Sequence, residues 1–217
     1  MTMNDSLVTQ PSKRKLMGLA TLWPWLVGCA GPASADGAIG AEDAHQRFKR
    51  IGVVLVVDAV PGAELRQVVF YDERFVQFYA SSLVAKRNRE ILALGGSRVP
   101  LAARIVWGEG RHYDYSHATW YGGTILGDYT IPVAERIPDE VLNDIRARGG
   151  SLRLKFRLKT DGVLFGWDIE RDGTGTGYTF KYDMIGGDFK EARIFNGKPV
   201  EPGWYIDKNG QKIQTDF

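Results

Sequence analysis

Three histidines and one cysteine are the side chains in this chain best suited to act as base, nucleophile or metal ligand near neutral pH. His112 and His117 share a segment with Glu109 and Asp114, a set that invites a metal reading, yet their spacing fits no common ligand pattern. His45 lies apart, among charged residues. Asp168 and Glu170 share a strand face, as paired carboxylates would, but a facing row of basic side chains already accounts for them. The run Gly173-Thr174-Gly175-Thr176-Gly177 imitates a phosphate cradle without a strand before it and a helix after it, so a hairpin loop is the simpler reading. Gly-x-Ser-x-Gly, His-Glu-x-x-His and phosphate-loop motifs do not occur. The expectation is a protein that is not an enzyme and uses neither metal nor cofactor.

Recognition is the other chemistry on offer. Residues 108–123 (GEGRHYDYSHATWYGG) carry three Tyr, one Trp, two His and an Asp between glycines. Tyr and Trp supply large amphipathic contact area at low entropic cost and dominate binding hot spots. If this segment binds a partner, the contact residues are Tyr113, Asp114, Tyr115, His117, Trp120 and Tyr121. The competing reading folds Trp120 and Tyr121 back as core plugs or as the start of a further strand. Both readings stand at this point.

The elements that must position these residues are mostly strands. Residues 51–57 (IGVVLVV) are a β-branched run suited to a central strand. Residues 66–71 and 74–80 read as strands, joined by a hairpin across Asp72-Glu73, and 103–107 as another; 83–94 fits a short helix or a strand. The clearest pattern is 152–170. Leu152, Leu154, Phe156 and Leu158 alternate with Arg153, Lys155 and Arg157. A type I′ turn at Asp161-Gly162 then sets Leu158 opposite Phe165, Phe156 opposite Trp167 and Leu154 opposite Ile169. On the other face it sets Lys155 opposite Asp168 and Arg153 opposite Glu170, which reads as a solvated charged surface. Asn209-Gly210 signals a second such turn, with Ile206 opposite Ile213, and Asn196-Gly197 a third. One helix stands out at 139–148, with Pro138 before it, Asp139 and Glu140 in its first turn, and Gly149 after it. The expected fold is mainly β (β-rich α+β): an antiparallel sandwich or curved sheet of hairpins, with one packed helix.

The N-terminus carries an address. Lys13, Arg14 and Lys15 precede a 13-residue apolar stretch, Leu16–Gly28, too short to span a bilayer. Leu26-Val27-Gly28-Cys29 resembles the bacterial lipobox, and Cys29 is the only cysteine in the chain. The resemblance implies cleavage before Cys29 and its lipidation, with residues 1–28 a signal peptide, 29–45 a flexible tether, and 46–217 one β-rich domain. Cleavage after Ala33-Ser34-Ala35, giving a plain secreted protein, fits the alternative. Ala30 after the cysteine, by resemblance to sorted lipoproteins, points to the outer membrane. Residues 1–28 hold three of the 28 basic and one of the 26 acidic side chains, leaving 25 of each. A nucleic-acid binder needs a basic footprint, so that class of partner is not expected.

Three segments beside the lipobox carry a family resemblance: Gly127–Arg146, Leu152–Arg171 and Gly203–Asp207. The chain is similar to small bacterial lipoproteins encoded beside type VI secretion lipase effectors, which act as their immunity proteins. The resemblance implies a periplasmic, membrane-anchored protein that binds an incoming phospholipase and occludes its active site or lipid-entry face. The alternatives are a structural or assembly lipoprotein of the envelope and a lipid- or glycan-binding module.

Overall fold

The alternating sequences do form strands, and the strands stack into two facing sheets. The computed structural model describes residues 44–94, 99–173, 180–195 and 198–216. They belong to one compact unit, Ala35–Phe217. In chain order the elements are β1 (Gly52–Ala59), β2 (Glu64–Tyr71), β3 (Gln77–Ala85), β4 (Glu90–Ala93), β5 (Ala103–Glu109), β6 (His112–Asp114), β7 (Thr119–Tyr121) and β8 (Thr124–Ile131). The helix α1 (Asp139–Arg148) follows, then β9 (Ser151–Lys159), β10 (Gly162–Asp172), β11 (Phe180–Gly187), β12 (Phe189–Lys190), β13 (Arg193–Phe195), β14 (Lys198–Glu201), β15 (Gly203–Ile206) and β16 (Lys212–Thr215). The protein is mainly β, with a single helix of seven or more residues among the described residues.

The larger sheet has the order β11-β10-β9-β1-β4 and the smaller β3-β2-β5-β8. Val53, Leu55 and Val57 of β1, Leu152, Leu154, Phe156 and Leu158 of β9, and Phe165 and Ile169 of β10 form one wall of the core. Leu65, Val68 and Phe70 of β2 and Ile105 and Trp107 of β5 form the other. Phe70 meets Phe156 edge-on across the gap, with ring centroids 5.1 Å apart. Val141, Leu142 and Ile145 bury one face of α1 in the same core, and the helix ends where Gly149 turns to φ +77. The pairing is antiparallel except that β1 runs parallel to β9, a departure from the all-antiparallel expectation. The run at 51–57 is central, as its composition predicts: β1 lies between β9 and β4, and Val56 on its outer face is 2% exposed.

Turn lengths differ from expectation in three places. Residues 72–76 form a longer loop than a two-residue hairpin, so the second strand starts at Gln77 and runs to Ala85. The Asp72 carboxylate causes this, because Oδ1 accepts the backbone N–H of Arg74 at 2.9 Å and of Val76 at 2.8 Å. After β3, residues 86–94 split into a 3₁₀ turn and β4 instead of a single helix or strand. The β9–β10 turn is Thr160-Asp161, with Gly162 paired to Lys159. Phe156 therefore faces Phe165, Leu154 faces Trp167, Leu152 faces Ile169 and Arg153 faces Asp168. A two-residue slip leaves each side chain on its predicted face and changes only its partner. At the C-terminus the loop is Lys208–Gly210, closed by Asp207 N–H to Gln211 O at 2.8 Å, with Gly210 at φ +76. Tyr205 and not Ile206 then faces Ile213. Residues 196–197 and most of the 173–177 run lie outside the described residues; β13 and β14 pair on either side of the former.

Candidate functional site

Each of the two main sheets has an outer face, and each face is covered in part. On the smaller sheet the cover is the predicted aromatic segment. It is an antiparallel hairpin and not an open loop, with His112 opposite Tyr121, Tyr113 opposite Trp120 and Asp114 opposite Thr119. The hairpin packs back against β2, so Val69 and Val106 on that outer face are buried although they stand outside the main core. The reading of Trp120 and Tyr121 as the start of a further strand is the one the structure takes.

The hairpin is fastened at its base and at its turn. Gln67, held at φ +53, donates from Nε2 to Arg111 O and accepts the Arg111 N–H, both at 2.9 Å. Arg111, 8% exposed, donates to Gln67 O at 3.0 Å and to Trp120 O at 2.6 Å. Near the turn, Gln77 Nε2 donates to Ala118 O at 2.7 Å, and the Tyr71 and Thr119 hydroxyls share a hydrogen bond at 3.1 Å. Asp114 organises the turn itself, accepting from Ser116 N–H at 2.8 Å and from His117 Nδ1 at 2.6 Å. The His117 and Ser116 hydrogen bonds hold its carboxyl down at about 2.

The six predicted contact residues therefore come together, with different exposures. Tyr115 at the turn is 89% exposed and Tyr121 57%, and His117 is also exposed. Tyr113, Asp114 and Trp120 are half-buried. Tyr113 packs between Trp120 and Tyr115, with ring centroids 4.9 Å and 5.0 Å away. The segment is both cover and display: one part closes the sheet and the rest faces outward. Among the described residues no three His, Cys, Asp or Glu converge on a metal position. Cys29 lies outside the described residues.

Sequence patterning did not find Phe75 and Val76. They lie in the 72–76 loop and are 69% and 54% exposed. Phe75 adopts φ +60, an uncommon conformation for a bulky residue. The available signal was Asp72, whose side chain caps such a turn two and four residues on. Ile125 and Leu126 at the start of β8 add further exposed apolar surface, at 48% and 55%.

On the larger sheet the charged outer face is dry, which corrects its reading as a solvated surface. Arg153, Lys155, Arg157 and Asp168 are between 1% and 3% exposed, and Asp58 is 4% exposed. β12, an edge of the C-terminal sheet β12-β15-β16, lies over them. Phe189, 1% exposed, lays its ring 4.5 Å from the Arg157 guanidinium and 5.2 Å from Lys155 Nζ. Gly166 makes room for it, because a Cβ there would come within 3.1 Å of the ring. Asp188 fixes the cover, accepting from Phe165 N–H at 2.9 Å and Arg136 Nη1 at 3.0 Å.

Beneath that cover the charges pair. Arg157 forks onto both Asp58 oxygens at 2.7 Å, and Lys155 Nζ donates to Asp168 Oδ2 at 2.7 Å. Glu191, brought by the covering segment, contacts Arg89, Arg153 and Arg157. Burial would raise its pKa, but Arg89, Lys155 and Arg153 outweigh burial and hold it at about 2. Glu170 at the margin moves the other way, pushed up by burial more than Arg153 pulls it down. The arrangement is a charge-paired structural layer.

Compared with known proteins, the chain matches no family model, no curated protein and no solved structure.

Proposed function

We propose that the protein is a membrane-tethered immunity protein of the periplasm, lipid-anchored through Cys29 to the outer membrane. In this reading it binds and inhibits a toxic secreted effector, a type VI secretion phospholipase by family resemblance, through its surface and without catalysis of its own. The observation that carries the reading is the fastened aromatic hairpin. His117 and Tyr121 are exposed on a backbone pinned by Arg111, Gln67 and Gln77, so little backbone freedom remains to be lost on binding. Aromatic anchors on a rigid support are what tight protein–protein interfaces use. The layout of residues 13–29 supports the export and anchoring parts.

The test is co-expression with the product of the adjacent gene, exported to the periplasm. Expected is killing by that product alone, rescue by this protein, and loss of rescue when His117 and Tyr121 are both replaced by serine. A product that is harmless alone, or that kills equally in the presence of this protein, overturns the reading.

A further inference from the structure

The most exposed apolar side chains near the hairpin turn sit on two neighbouring tips. One tip is the 72–76 loop with Phe75 and Val76, the other the hairpin turn with Tyr115. Gln77 to Ala118 and Tyr71 to Thr119 tie the two together. The charged groups bordering them have partners within the chain: Arg74 pairs with Asp72 and Arg104 with Asp128, and the Asp114 carboxylate is hydrogen-bonded to Ser116 N–H and His117 Nδ1. The Arg104 guanidinium lies 5.9 Å from the Phe75 ring centre. What projects is an apolar, aromatic tip whose bordering charged groups are hydrogen-bonded within the chain, with the 72–76 loop held by Asp72.

The chain enters the body at this tip. His45 Nε2 hydrogen-bonds Glu73 Oε1 at 3.0 Å, and Glu73 Oε2 accepts the Leu101 N–H at 2.9 Å. Arg47 next to it donates to Asp139, Ala134 O and Ile137 O, so the entry point is stapled to the body. The 72–76 loop thus lies beside His45, next to the first described residue, Ala44, and an attachment of the preceding chain to a membrane leaves Phe75 and Val76 close to the anchored end of the body.

We propose that Phe75, Val76 and Tyr115 form a lipid-contact tip that settles into the headgroup–acyl boundary of the bilayer when the chain is anchored. Aromatic rings with one polar end favour that boundary, and uncompensated charge at the tip would oppose entry. The inference rests on the membrane attachment proposed above, not on the identity of any effector. It leaves Tyr121, Ile125 and Leu126 for a protein partner.

The test uses the full chain carrying Cys29→Ser and an N-terminal histidine tag, held on phosphatidylethanolamine–phosphatidylglycerol vesicles doped with nickel-chelating lipid. An environment-sensitive fluorophore is placed on Phe75→Cys, on Tyr115→Cys, or on Lys208→Cys in the exposed C-terminal turn. Expected are a blue shift and loss of most emission to a lipid-borne quencher at 75 and 115, with neither at 208. Adding Phe75→Asp to the Tyr115→Cys chain abolishes the shift at 115 without lowering the melting temperature. Equal, water-like emission at all three positions overturns the inference. So does shielding at 75 and 115 that appears only when the co-expressed effector is added, which would assign the tip to a protein partner. Mass analysis of Cys29 in the native chain separately decides the anchor, so failure of one reading is distinguishable from failure of the other.

Discussion

The two outer faces of the sandwich are covered by opposite means. The smaller sheet is closed by its own neighbouring hairpin over two valines, with aromatic rings left outside. The larger sheet is closed by strands from the far end of the chain, over a layer of paired charges with one phenylalanine laid on top. A face of alternating charges is thus no guarantee of contact with water, and a face rich in tyrosine and tryptophan is no guarantee of full exposure. Whether a face is wet depends on what a later segment does.

The largest difference between the two faces is expected at Asp168. Asp168→Leu strips Lys155 of its buried partner and is expected to cost about 3–5 kcal/mol in urea unfolding, whereas adding Lys155→Met recovers most of that loss. A loss no larger than a surface charge change gives would show that the charged face is wet after all.

On the same face, Glu191 makes stability depend on pH. Its carboxyl sits near 2 in the folded protein against an ordinary value of 4.5, so its contribution is complete above about pH 4.5 and fades as pH falls towards 2. Glu191→Gln should therefore cost on the order of 2–3 kcal/mol at neutral pH and almost nothing near pH 2, as read from urea unfolding across that range. A deficit independent of pH would contradict the assignment.

On the aromatic side, Arg111→Ala removes the clamp at the hairpin base. Amide exchange of residues 112–121 should accelerate more than that of the larger sheet, whose strands follow only the global cost of roughly 1–2 kcal/mol. The smallest stability effect is expected at the display residues. Tyr115→Ser should leave stability within about 0.5 kcal/mol. In the rescue assay, His117→Ser combined with Tyr121→Ser should weaken protection at least about tenfold. Rescue that survives the double change would place the partner surface elsewhere on the body.

Much of the architecture was legible because it is local. The helix was fixed by Pro138, the acids of its first turn and Gly149, and its observed bounds coincide with the expected ones. The leucines of β9 and the aromatics of β10 fell on the core face as their spacing required, and the slip in turn position left that untouched because it moved the pairing by two residues. The one-residue error at the C-terminal hairpin had a local cause: the Asp207 carboxylate accepts the N–H groups of Asn209 and Gln211, both at 2.8 Å, and sets a three-residue loop where Asn-Gly suggested two. Of the candidate contact residues, the sequence grouped the six of the hairpin but missed Phe75, whose place in an apparent strand hid the loop that Asp72 builds.

Periodicity along the chain settles which side chains stand together, because consecutive strand residues point to opposite sides whatever surrounds them. It therefore set the two rows of β9, the core wall and the helix. It could not settle which row would meet water. That was decided by Phe189 and Glu191, more than thirty residues beyond the row they cover, since burial is a property of what packs above a surface and no local pattern encodes a distant neighbour.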